Sequence, residues 1–244
     1  MSGPDPILVL GATGRTGASM VSDLLRQGHA VRALVRDAHS ARGRLGDAVE
    51  LIEGDLRDPA ALADAVIGCR RVVFVAGANG VDNRGAPREV EHDAVAALAR
   101  ACAPDLERFV LLSSAGVTQP EHPHNCTYKS VLKWKLAGEN ALRASGRPYT
   151  IVRALGLRDR PVAQAGVRIV QGDLIAFGED IAREDLALIL SDIAGDSGER
   201  FAAPEIAKGL VNATVEVFND TRLKGECWAV SRPLVSDAEL RVSA

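Results

Sequence analysis

The sequence predicts an α/β fold built on a doubly wound parallel sheet, and three observations carry that prediction. Short apolar runs alternate with longer helix-forming segments from Ile7 to Arg153. The runs are rich in Val, Ile and Leu with little polar alternation, the pattern of strands covered by helices on both faces. A glycine triplet stands where the first run gives way to the first helical segment, the position of a phosphate-binding turn in such sheets.

Taken in order, the apolar runs are Ile7–Leu10, Ala30–Val35, Val49–Ile52, Arg71–Val75, Phe109–Leu112 and Tyr149–Val152. Between them lie helix-compatible segments at Thr16–Gln27, Pro59–Val66, Arg88–Cys102 and Lys129–Ala144. Gly28, Gly68 and Gly146 follow three of these segments, where a left-handed cap is expected. After Arg153 the regularity weakens. Val167–Val170 and Leu174–Phe177 resemble short strands around a Gly172-Asp173 turn, and a helix begins near Arg183. Ala213–Phe218 and Cys227–Val230 are further strand candidates. With no internal repeat or low-complexity linker, the chain is expected to form one domain. Its core spans residues 6–155, and a C-terminal lobe over 156–244 would shape a substrate cleft.

Composition narrows the function classes. The 244 residues carry a net charge of −3 and only 4% aromatics, so neither a basic surface nor stacking side chains favour nucleic acid. Four cysteines (Cys69, Cys102, Cys126, Cys227) contain no Cys-x-x-Cys pair, which disfavours a zinc or thioredoxin-type site. No apolar run is long enough to span a bilayer, and the start lacks a secretory pattern. A cytoplasmic protein without a membrane partner is expected, acting on a small molecule as monomer or homodimer.

The glycine turn reads Gly11-Ala12-Thr13-Gly14-Arg15-Thr16-Gly17. Gly11 would make the tight exit from the strand, Gly14 would admit a pyrophosphate to the backbone, and Gly17 would allow close helix packing. With Thr13 and Thr16, these residues would present N–H groups at a helix N-terminus to phosphate. A turn that binds nothing is the plain alternative, but the position at the first β-α junction favours a dinucleotide. Where NAD-selective chains carry an acid after the second strand, this one carries Arg36. A guanidinium there pairs with a 2′-phosphate, and Arg15 would approach the same group from the other side. The two arginines favour NADP(H), while Asp37 leaves NAD(H) open. Asp55 and Leu56 would meet the adenine, and Ala76-Gly77 would let a ribose lie across the fourth strand end. Asp55 serves equally well as a turn or cap residue ahead of the helix near Pro59.

Several segments in order, GATGRTG (11–17), LVRD (34–37), GDL (54–56), FVLLSSAGV (109–117), VLKWKLAGENALRASGRPYTIVRALGL (131–157) and IAREDLA (181–187), carry a family resemblance. Over residues 6–218 the chain resembles the atypical short-chain dehydrogenase/reductases, in the small NAD(P)-binding branch with NmrA-like proteins and flavin/biliverdin reductases. The resemblance implies a Rossmann-type sheet and NADP(H). It places Ser113 or Ser114 by the nicotinamide, Lys135 on the nicotinamide ribose, and Leu155 in a cofactor-binding loop. Classical members carry a catalytic tyrosine four residues before the lysine; here that position is Val131. Tyr128 shares the lysine's helical face but lies two turns away, about 10.5 Å along the axis. Tyr149 sits on a strand. The chain has no third tyrosine.

Lys135 falls on an apolar face with Val131, Gly138 and Leu142, so its charge needs oxygens, which ribose hydroxyls would supply. The polar stretch from Asn79 to Glu91 resembles a loop over the cofactor with charges facing solvent or substrate. His122-Pro123-His124 with Cys126 has metal-like composition but no fourth ligand, and a cleft-rim loop is the better reading. Together these features point to an NADP(H)-dependent oxidoreductase reducing a small carbonyl, quinone- or flavin-like acceptor. Ser114 would orient the acceptor oxygen, with water or Tyr128 supplying a proton. The alternative is a non-catalytic NADP(H)-sensing regulator of NmrA type with a protein partner.

Overall fold

The computed structural model describes residues 5–78, 87–119, 121–122, 130–154, 156–161, 166–172, 179–197, 210–223, 228–230 and 234–242. The strands are β1 (Ile7–Leu10), β2 (Val31–Val35), β3 (Val49–Glu53), β4 (Arg71–Phe74), β5 (Arg108–Ser114) and β6 (Tyr149–Ala154), then β7 (Leu157–Arg158), β8 (Gly166–Val170), β9 (Ile181–Ala182), β10 (Ala213–Asp220) and β11 (Trp228–Val230). The helices are α1 (Arg15–Arg26), α2 (Ala38–Leu45), α3 (Pro59–Ala65), α4 (Ala94–Ala101), α5 (Val131–Ala144), α6 (Arg183–Gly195) and α7 (Asp237–Val242).

One sheet runs in the order β3-β2-β1-β4-β5-β6-β10-β8-β11. Its first six strands follow the dinucleotide-binding order, all parallel. β10 continues parallel to β6, whereas β8 is antiparallel to β10 and β11 follows β8. The short strands β7 and β9 pair separately. The strand order reverses between β1 and β4, and a crevice outside the carboxyl ends of strands at such a reversal is where ligands bind.

The unalternating apolar runs bury both faces. Ile7, Val9 and Ala33 pack with Met20 and Leu24 of α1 and with Leu186, Ile189 and Ile193 of α6. Leu8, Leu10 and Phe74 face the other way, against Leu62 of α3, Leu98 of α4 and Leu142 of α5. The strands of the first half therefore stand where the apolar runs place them, and Gly28, Gly68 and Gly146 all have positive φ.

Three local differences have physical reasons. α2 is absent from the hydrophobic pattern because only Ala41 in it is buried; the Asp37 carboxylate caps it by accepting the Ser40 N–H at 2.9 Å. The helix-compatible segment over Arg88–Cys102 is helical but carries a π-helical turn, Glu89–Asp93, ahead of α4. α5 begins at Val131 because Ser130, at φ 60°, is left-handed and interrupts the helix there. The strand expected at Leu174–Phe177 lies outside the described residues. Among the described residues, no helix is long and apolar enough to cross a membrane.

Candidate functional site

β1 delivers the chain into Gly11 at φ 89°, and a Cβ there would lie 2.6 Å from the Ala76 backbone nitrogen. The turn closes with the Gly14 N–H donating to the Gly11 carbonyl at 3.0 Å. At Gly17 a Cβ would fall 2.2 Å from that same carbonyl oxygen, so α1 packs on the turn itself. Gly14 caps α1 in extended conformation, no side chain bonds to the helix start, and its first turn holds no acid. Thr13, Gly14 and Arg15 are exposed while Thr16 and Gly17 are buried. The result is a close-packed turn whose helix N-terminus carries no side-chain cap and no acid of its own, suited to phosphate.

At the end of β2, Arg36 is exposed and donates no hydrogen bond to any described residue. The acids around it also have other partners, and Asp55 feels the Arg36 charge as well. Asp37 caps α2, and Glu53 Oε2 accepts the Ala38 N–H at 3.0 Å. Asp55 accepts from Arg57 Nε at 3.0 Å, Arg57 Nη2 at 2.6 Å and the Arg57 N–H at 2.9 Å. The Arg57 guanidinium holds the Asp55 carboxyl down to about 2, against the opposing effect of burial. Asp37 thus works as a cap of α2. Leu56 is half-buried beside Asp55.

Arg15 makes an exposed ion pair with an acid far along the chain. It donates to Asp159, just after β7, and Arg183 Nε reaches the same carboxylate at 2.6 Å. The long Arg15 side chain leaves the helix start exposed and takes the nearest acid, one that sequence distance hides.

At the expected nicotinamide end the side chains make protein contacts of their own. Ser113 Oγ donates to Glu139 Oε1 at 2.6 Å, and Glu139 is fully buried. Arg153 meets that carboxylate with Nε at 3.0 Å and Nη2 at 2.7 Å, so Ser113 belongs to an internal network joining β5, α5 and β6. Ser114 is half-buried at the strand end and donates to the Ala115 carbonyl at 3.0 Å. The charge on Lys135 has a protein partner: its Nζ donates to Glu91 Oε2 at 2.8 Å. Glu91 is 4% exposed, and its other oxygen accepts the Ala78 N–H at 2.8 Å. The carboxylate therefore ties α5 to the segment after β4, which includes Ala76 and the exposed Gly77.

Glu91, which the sequence reading placed at the end of a polar loop with charges facing solvent or substrate, is instead buried and bonded to Lys135. It stands four before Val95 and seven before Leu98, both buried, and that spacing was the available signal for an inward-facing acid. Tyr128 and Leu155 lie outside the described residues, as do residues 79–86, His124 and Cys126. His122 is buried against Gly116, where a Cβ would come within 2.7 Å of its Cδ2. Among the described residues no group of three or more His, Cys, Asp or Glu is placed to hold a metal. Burial pushes the Cys69 thiol up to about 11 and the Cys102 thiol up to about 12, which keeps both as inert core residues.

Comparison with known proteins agrees with this geometry. A family model described as NAD(P)H-binding matches residues 11–197. An uncharacterised chloroplastic protein of Arabidopsis thaliana is 30% identical over 227 residues, covering 84% of this chain and 70% of that one. Among solved structures, a short-chain dehydrogenase/reductase of Veillonella parvula in complex with NADP superposes with a TM-score of 0.67 at 19% identity, covering 91% of this chain and 98% of the other. A Streptococcus pneumoniae protein named for NADH-flavin reductase activity gives 0.66 at 19% identity, covering 88% and 99%.

Proposed function

The chain belongs to the NAD(P)H-binding family, and from that membership we propose that it is an NADPH-dependent oxidoreductase acting on a small acceptor of flavin or quinone type. The observation that carries the dinucleotide end is the glycine turn, in which Gly11 and Gly17 have no room for a side chain and the start of α1 is uncapped by any side chain. Arg36, without a hydrogen bond to any described residue, supports the 2′-phosphate. Bound there, NADPH would supply the hydride, two electrons and one proton, that the acceptor needs, leaving NADP+.

The residues of this chain hold and orient. Lys135 would offer its remaining donors to the nicotinamide ribose, and Ser114 would orient the acceptor oxygen from the end of β5. The position four before Lys135 is Val131, so the chain offers no phenol there to deliver a proton. A reduced flavin or quinone takes its proton from water, which is why these acceptors fit better than an aldehyde or ketone. The Streptococcus pneumoniae protein's name points to the same acceptor class. The same valine supports the second reading, a regulator of NmrA type that binds NADP(H) without turnover.

A steady-state screen of NADPH oxidation against flavins, quinones and aldehydes separates the two. Turnover with a flavin or quinone and not with aldehydes is expected. Tight NADPH binding with no turnover on any of them would overturn the enzyme reading in favour of the regulator.

A further inference from the structure

Resting on the reading that Lys135 faces the nicotinamide half of the dinucleotide, we propose that Glu91 is the positioning residue that fixes Lys135 there, held in place by its π-helical turn against Gly138. The Lys135 ammonium and the Glu91 carboxylate are 2.8 Å apart, with side chains only 14% and 4% exposed. At that depth removing either partner would leave the other charge uncompensated, which favours keeping the two together. An ammonium has three donors. Glu91 uses one, which leaves two for the ribose hydroxyls and fixes the direction from which they must approach.

The backbone around Glu91 is built for this contact. The turn Glu89–Asp93 is π-helical, which inserts one extra residue relative to an α-helical turn and changes where the side chains after it point. Facing it on α5 is Gly138, where a Cβ would lie 2.0 Å from the Glu91 carbonyl oxygen. Only a glycine lets the two segments come this close. The second Glu91 oxygen holds the Ala78 N–H at 2.8 Å, so one carboxylate sets both the lysine on α5 and the main chain leaving β4. Those two segments are the walls between which a nicotinamide ribose would lie.

The test is a double-mutant cycle read by binding. NADPH and adenosine 2′,5′-bisphosphate, which lacks the nicotinamide half, are titrated into the wild type, Glu91→Gln, Lys135→Met and the double variant. Glu91→Gln should weaken NADPH roughly ten-fold, the scale of one charge-assisted hydrogen bond, and leave the bisphosphate unchanged. The double variant should bind NADPH no more weakly than Lys135→Met alone, because the two residues act as one unit. Should Glu91→Gln alone not fold, the comparison of the double variant with Lys135→Met still decides. A further loss of NADPH affinity in the double variant contradicts the proposal. So does equal weakening of NADPH and bisphosphate, which assigns the pair to holding the fold. Unchanged NADPH binding in Glu91→Gln alongside a loss in Lys135→Met removes Glu91 from the site. Unchanged NADPH binding in Lys135→Met overturns the placement of the lysine and the proposal with it.

Discussion

Gly17 has no space for one added carbon, and the atom in the way is a backbone oxygen that no side-chain rotation can move. Gly17→Ala should therefore displace α1 from its turn. We expect a loss of about 1–3 kcal/mol in stability by denaturant melting. NADPH affinity should fall by more than about ten-fold in a titration of the folded variant, because the phosphate-facing N–H groups move with the helix. Unchanged stability and binding would mean that the turn tolerates what its geometry forbids. This glycine was legible because a triplet at a strand-to-helix junction has few other uses. The partners of the charged residues were not. Arg15 finds its acid 144 positions later and Lys135 finds its acid 44 positions earlier, and nothing local in the sequence connects either pair. What was legible at Lys135 was the need for a partner, since its helical neighbours are apolar. The partner's identity depends on a π-helical turn, which leaves no hydrophobic signature distinct from an ordinary helix.

Elements with an apolar stripe were legible, and elements held by polar contacts were not. α1, α3, α4 and α5 each carry buried residues at helical spacing, whereas α2 rests on an Asp37 cap and one buried alanine. The C-terminal helix α7 is a second case. Its first residue, Asp237, accepts the Thr214 N–H at 2.7 Å, Thr214 Oγ1 at 2.7 Å, Arg143 Nε at 2.9 Å and the Tyr149 hydroxyl at 2.9 Å. Tyr149 is thus committed to pinning α7 onto the start of β6, and burial with the nearby Asp237 carboxylate pushes its phenol up to about 12. Burial alone would raise the Asp237 carboxyl, but the bonds from Thr214, Arg143 and Tyr149 outweigh it and hold the group below its usual value. A carboxyl depressed in the folded state stabilises the fold above its unfolded value of about 3.9 and loses that contribution as pH falls through the folded value. Asp237→Asn should therefore lower stability by about 1–3 kcal/mol at neutral pH, and the gap from wild type should close below about pH 4. Urea melts of both proteins across that range are the check; a gap that stays constant into acid would contradict the assignment.

For the whole molecule, the parallel sheet through β6 followed from the alternation of apolar runs and helices, because a parallel sheet covered on both faces leaves that pattern. The later strands gave weaker signals, being short and joined by irregular segments. That β10, β8 and β11 extend the same sheet depends on pairings such as Val215 with Val152, which join distant parts of the chain. The sheet places the glycine turn and Arg36 at neighbouring strand ends, β1 and β2, with Ala76 beyond β4 on the other side. The central claim is that these are parts of one dinucleotide site whose 2′-phosphate is met by Arg36. Fluorescence titration of the wild type and Arg36→Ala with NADPH and with NADH tests it most directly. The account predicts that the wild type prefers NADPH, and that Arg36→Ala weakens NADPH about ten-fold, one charged contact, without changing NADH. Equal affinity of the wild type for the two, or an Arg36→Ala variant that binds NADPH as tightly as before, would contradict it.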